Sequence, residues 1–182
     1  IRDTVIVSRA GDVIPKIIKI LHELRPKGAK DFHMPVNCPF DGSKVIKDGV
    51  IHRCSNKNCG ARQRKFLYHF VSRGAFNIEG LGPKIIDRFM DEGLISDAAD
   101  IFTLKKGDIE VLERFGEKSA ENIVIEIREK KKISLPRFIY SLGILHVGEE
   151  TSNLLAQKIS NLKSKIVNPK QILEAFEKLG IE

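Results

Sequence analysis

Tryptophan is absent, tyrosine occurs twice and cysteine three times in the 182 residues. With so few large aromatics, an extensive base-stacking platform is not expected, although ten phenylalanines remain. No apolar run exceeds a few residues, so no segment is long enough to span a bilayer. A secretory signal, with its basic start, apolar stretch and small-residue cleavage site, is also missing. Three cysteines without such a signal argue against a disulfide framework, and a cytoplasmic location is expected. What is present fits a globular chain of one ordinary domain or two small ones, with 42% apolar and 30% charged residues. It opens on Ile1 rather than methionine, and is expected to be a piece of something longer.

The formal net charge is +7, which leans towards a polyanionic partner. The charge is unevenly placed. Residues 1–75 carry 15 basic and 6 acidic side chains, whereas residues 76–182 carry 16 basic and 18 acidic. If the second part binds phosphate, it must do so mainly through backbone donors. An ordinary solvated surface with a basic end is the plainer reading.

Residues 1–30 are too short to bury a core of their own. Thr4-Val-Ile-Val-Ser8 reads as a strand ending at the Ala10-Gly11-Asp12 turn. Val13–Leu24 is ambiguous between strand and helix, with Pro15 breaking its start. Residues 31–65 hold all three cysteines. Cys54 and Cys59 are separated by four residues, which suits a tight loop presenting two thiolates to one ion. Cys38 opens a knuckle closed by Gly42, and the position of a second knuckle ligand is occupied by Asp41. One zinc is expected on Cys38, Cys54 and Cys59, with Asp41 as fourth ligand and His52 or His33 as alternatives. A metal-free knuckle held by packing is the competing reading. Between the two halves, Lys44–Arg53 reads as a hairpin turning at Asp48-Gly49.

Residues 66–182 are expected to be helical and contain a repeat, apolar-x-x-apolar-Gly. It occurs as Ile78-Glu-Gly80-Leu81-Gly82, Leu112-Glu-Arg114-Phe115-Gly116, Ile144-Leu-His146-Val147-Gly148 and Phe176-Glu-Lys-Leu179-Gly180. A helix pattern follows each of the first three. Ile85, Ile86, Phe89 and Met90 share a face after Gly82, with Pro83 at the first helical position. Ala120, Ile123, Val124 and Ile127 do so after Gly116. After Gly148, the acids Glu149 and Glu150 suit the positive helix end, and Leu154, Leu155 and Ile159 are expected to be buried. Supporting helices are expected from Ser134, with Phe138, Ile139 and Leu142 inward, and from Asn168-Pro169, with Ile172, Leu173, Phe176 and Leu179 inward.

Helix, glycine hairpin, helix is the helix-hairpin-helix module. The apolar residue before the glycine should plug the hairpin into the core, and the glycine should permit a backbone shape that side chains block. The next helix then turns its free amides outward, where they can hold a phosphate oxygen without reading a base. Four such hairpins in register favour phosphate binding over plain packing turns. Gly80, Leu81, Gly82 and Lys84, with Arg73 nearby, form the strongest candidate; Gly116, Lys118 and Ser119 come next, then Gly148 and Thr151. The fourth repeat stops two residues after Gly180, so it should not contribute.

These residues resemble the C-terminal half of bacterial NAD-dependent DNA ligase. The resemblance rests on Asp3–Pro15, the cysteine knuckle, His69–Gly82, Phe115–Asn122 and Leu142–Glu149, in that order. It implies a mainly α chain: a small zinc-ribbon-like β module plus a helix-hairpin-helix repeat domain, preceded by an OB-fold remnant at 1–30. The family seals nicks between 5′-phosphate and 3′-hydroxyl ends in replication and repair, passing AMP from NAD to a lysine in a Lys-x-Asp-Gly motif. No such motif occurs here; Lys47-Asp48-Gly49 lacks the spacer. The resemblance therefore implies no catalytic residue in this chain, NAD and magnesium bound by upstream domains, and an inactive fragment that clamps nicked duplex DNA. It further implies a monomer on the nucleoid, packed against adenylation and OB domains of the same chain, with no membrane partner. Asp41 departs from the family's fourth cysteine. Two alternatives remain: an architectural module packing ligase domains together, and the hairpin region of another repair protein, such as an excision nuclease subunit.

Overall fold

The computed structural model describes residues 2–11, 14–161 and 169–178. The chain divides into two units, Ile1–Asn56 and Lys57–Glu182.

The first unit is two antiparallel ribbons. β1 (Thr4–Ala10) pairs with β2 (Ile14–Leu21), from Ala10 opposite Ile14 to Thr4 opposite Leu21, with an irregularity at Ile6/Val7. The ambiguous second segment is thus a strand: β-branched residues dominate it, and a strand tolerates Pro15 where it faces Arg9 at the ribbon's end. Side chains alternate between faces in a strand, yet Ile17 and Ile18 are both well exposed, so neither face of this ribbon is covered within the described residues. β3 (Val45–Asp48) pairs with β4 (Ile51–Cys54) across Gly49-Val50. Gly49 takes φ +60°, and a glycine at the first central position is what a two-residue turn of the right twist requires.

The second unit is helical. α1 (Gly60–Phe70), α2 (Pro83–Asp91), α3 (Ala98–Ile101), α4 (Lys106–Glu110) and α5 (Glu117–Glu129) enclose one core; Leu67, Leu81, Ile86, Phe89, Ile101, Ile109 and Ile127 are sealed within it. α6 (Leu135–Ser141), α7 (Glu149–Asn161) and α8 (Pro169–Lys178) enclose a smaller one of Ile139, Ala156, Ile159, Ile172 and Phe176. Phe138 packs against both. The expected faces of α2, α5 and α6 are inward. One expectation on α7 fails: Leu154 is 60% exposed, while Ser152, Leu155, Ala156 and Ile159 form the packed stripe. Spacing of three, four and seven residues defines that stripe, and Leu154 lies two residues from Ser152, on the far side. Ile172 and Phe176 are buried as expected; Asn168, Leu179, Gly180 and the side chain of Leu173 lie outside the described residues.

Candidate metal centre and nucleic-acid interface

The knuckle is built by backbone. Gly42 N donates to Cys38 O at 2.9 Å, Cys38 N donates to Ser43 O at 2.7 Å, and Gly42 takes φ +71°. This bend brings Asp41 back beside Cys38. Its carboxylate accepts from Ser43 N at 3.0 Å and from Asn56 Nδ2 at 2.9 Å, and it lies 3.5 Å from Cys54 Sγ. Ligand atoms of Cys38, Asp41, Cys54 and Cys59 all lie within 4.8 Å of one another, a group that could hold a metal ion. Zinc–sulfur and zinc–oxygen bonds of about 2.3 and 2.1 Å, at tetrahedral angles, put donors roughly 3.5–3.8 Å apart, so the donor set fits with little contraction. His33 and His52 are not in this group.

The three described hairpins share one backbone design. Gly80, Arg114 and His146, each two residues before the glycine that ends the repeat, take φ of +85°, +71° and +66°. Arginine and histidine rarely adopt this left-handed region, so the hairpin shape is imposed there at some cost. The glycines that follow behave differently. Gly82 and Gly116 are extended, at φ −75° and −90°, which any residue adopts. The expectation that these glycines permit a blocked backbone shape is therefore wrong; positive φ belongs to the position two residues earlier. A Cβ added at Gly82, Gly116 or Gly148 would meet no atom within 4 Å. Among the described residues, nothing requires glycine at these three places.

Each glycine starts a helix: α2, α5 and α7 begin one residue later. The carbonyl of Gly82 accepts from Ile85 and Ile86 at 3.0 Å, that of Gly116 from Ser119 and Ala120 at 2.9 and 3.1 Å, and that of Gly148 from Ser152 at 2.9 Å. The amides of Gly82, Lys84, Gly116, Glu117 and Lys118 have no acceptor among the described residues, as the first turn of a helix dictates. Leu81 is the buried plug of the first hairpin; Phe115 and Val147 are half-buried plugs of the others. Gly80, Gly82, Lys84, Gly116, Lys118, Ser119, Gly148 and Thr151 are exposed at the hairpin ends.

Arg73 is exposed in the loop after α1, and its carbonyl accepts from Arg137 Nη2 at 2.7 Å. Sequence reasoning missed this tether. Arg137 Nε also donates to Ala75 O at 2.9 Å, and His69 Nε2 donates to Tyr140 O at 2.7 Å. Gly74 lies so close that a Cβ would sit 2.9 Å from Glu149 Oε1 and 3.0 Å from Tyr140 Cε1. These contacts lock the approach to the first hairpin onto α6 and α7. A second tether joins α1 to α2: Arg64 donates to Asp87 at 2.9 Å and Asp91 at 2.5 Å, and Tyr68 donates to Asp87. The Tyr68 hydrogen bond and Arg64 hold the Asp87 carboxyl below its ordinary range.

No protein-family model matches the chain. Individual proteins do. It is 46% identical over 165 residues to a protein named DNA ligase from Desulfitobacterium hafniense, covering 90% of this chain and 25% of that one. Against DNA ligases of Pseudomonas fluorescens and Koribacter versatilis, identity is 41% over 197 and 43% over 183 residues. These matches cover 100% and 99% of this chain, and it spans about a quarter of the length of these relatives.

Proposed function

We propose that this chain, a homologue of a segment of bacterial DNA ligases over nearly its whole length, is the non-catalytic region with which an NAD-dependent ligase grips duplex DNA around a nick. The observation that carries the reading is the set of glycines at 82, 116 and 148. Each has open space where a side chain would go, and none takes the left-handed backbone that favours glycine. A residue type that the fold does not require is explained by something approaching from outside. A phosphate held by the adjacent free amides and the positive helix end approaches in that way. Lys84 and Lys118, one turn away or less, add ionic hold.

The contacts expected from the first two hairpins, Gly80–Gly82 with Lys84 and Gly116 with Lys118 and Ser119, are sequence-independent. Arg73 extends this surface at the first hairpin. At the third, the amide of Gly148 and the hydroxyl of Thr151 stand beside two carboxylates, Glu149 and Glu150, and the ionic hold is weaker. One zinc on Cys38, Asp41, Cys54 and Cys59 would fix the knuckle in place. Bond formation itself, with its lysine, NAD and magnesium, belongs to other domains of the parent enzyme.

Binding of the 182-residue chain to a nicked duplex, followed by fluorescence anisotropy against salt, tests the reading. Affinity should fall steeply as salt rises and vary little with sequence. Gly82→Val should weaken binding about tenfold while helical circular dichroism is kept. No duplex binding even at low salt would sink the proposal. Loss of fold with no separate binding defect would favour the architectural module instead.

A further inference from the structure

The third hairpin departs from the other two in a consistent direction. Its first apolar position, Ile144, is 41% exposed, whereas its counterparts Ile78 and Leu112 are 4% and 8% exposed. The next position is glutamate in the first two hairpins, Glu79 and Glu113, but here it is Leu145, 65% exposed. The helix then begins with Glu149-Glu150 where the others bring Lys84 or Lys118. Phosphate-favouring charge has been lost and apolar surface has been raised to the tip.

This tip lines an open groove of about 430 Å³ with Phe66 and His69 of α1. Gly143, at φ +61°, closes the contact; a Cβ there would stand 3.4 Å from the His69 ring and 3.7 Å from the Phe66 ring. None of the lining residues is acidic, and Lys65, His69 and His146 stand among the apolar ones. An apolar floor edged by the Lys65 ammonium and free of acid complements a surface that is apolar close in and anionic at its edge. The sugars of a nucleic-acid backbone, flanked by phosphates, are such a surface.

We infer that the third hairpin meets duplex DNA chiefly through apolar contact of Leu145 and Ile144 with deoxyribose faces, its phosphate hold at Gly148 being the minor part. The inference rests on the clamp reading, and the third hairpin belongs to the same helical unit as Gly82 and Gly116. It assigns the two kinds of hairpin different physical work: the first two exchange counterions, and the third buries carbon. Because Leu145 is exposed, replacing it leaves the core untouched.

Anisotropy titrations of the 182-residue chain with a nicked duplex of about 30 base pairs, at a series of salt concentrations, separate the two. Leu145→Ser should lower affinity about tenfold, the scale of one buried aliphatic side chain, with the salt slope unchanged. Leu145→Met should restore most of the loss. Lys84→Ala should instead reduce the salt slope by about one ion. Unchanged affinity in Leu145→Ser would overturn the inference and leave the patch to a protein partner. A Leu145→Ser defect that flattens the salt slope as Lys84→Ala does would overturn it too. A wild-type chain that binds no duplex would overturn both this and the clamp reading, whereas normal Gly82 and Lys84 effects with a silent Leu145→Ser would remove this inference alone.

Discussion

A methyl group would find open space at Gly82, Gly116 and Gly148 but not at Gly74. At Gly74 a methyl group would be forced against Tyr140, whose backbone carbonyl is fixed by His69. Gly74→Ala should therefore cost about 1–2 kcal/mol of stability, read as a lowered thermal midpoint. The repeat pattern offers no signal for this, since Gly74 lies outside it and its neighbour in space, Tyr140, is far along the chain. Ser152 makes the opposite case. It is 1% exposed on the packed stripe of α7, and its hydroxyl finds no partner among the described residues. Ser152→Ala should raise stability by about 1 kcal/mol, because a buried hydroxyl without a hydrogen bond is a net cost. Asp87 adds a pH dependence. Its folded pKa is depressed below the ordinary 3.8, so its contribution is present above about pH 4 and is lost as pH falls through the lower folded value. Asp87→Asn should flatten that part of the acid unfolding curve, modestly, since the group is partly solvated.

Among the elements, what could be read from sequence was whatever depends on local periodicity. The starts of α2, α5 and α7 just after each repeat glycine, the buried face of α5 and the β3–β4 turn all follow from residues a few positions apart. The α7 face was misread at Leu154 because hydrophobicity was taken as the guide, while the packed stripe includes a serine and an alanine. The tethers from Arg137 and His69 were invisible for the same reason that Gly74 was: they join elements more than 60 residues apart. The knuckle lies between these cases. The four residues that gather there, a group that could hold a metal ion, were singled out from spacing, but Asn56, which steadies Asp41, was not. If zinc sits there, Asp41→Cys should tighten metal retention against a chelator by completing a four-thiolate set. Chelation of the present chain should loosen the β3–β4 ribbon while the helical signal of the second unit persists, because that core contains no metal ligand and is closed by its own apolar side chains.

For the molecule as a whole, net charge turned out to describe one end of the chain and not the other. The basic excess sits in residues 1–75, and the hairpins that carry the proposed DNA contacts lie in a segment with slightly more acid than base. No helix of the described residues is long and apolar enough to cross a membrane. The open glycines at the starts of α2 and α5 give this division a kinetic meaning. Amide donors and helix ends act only within a turn of the helix, whereas lysine and arginine charges reach about 8 Å through physiological salt. Arrival at DNA would then be governed by the basic residues and would slow as salt rises, while the time spent there would be governed by the hairpins. Gly82→Val should shorten residence and leave the association rate nearly unchanged, and neutralising Lys44 and Lys47, exposed basic residues of the first part, should do the reverse. A clamp built this way can find its substrate quickly and still let go without having to break a large ionic grip.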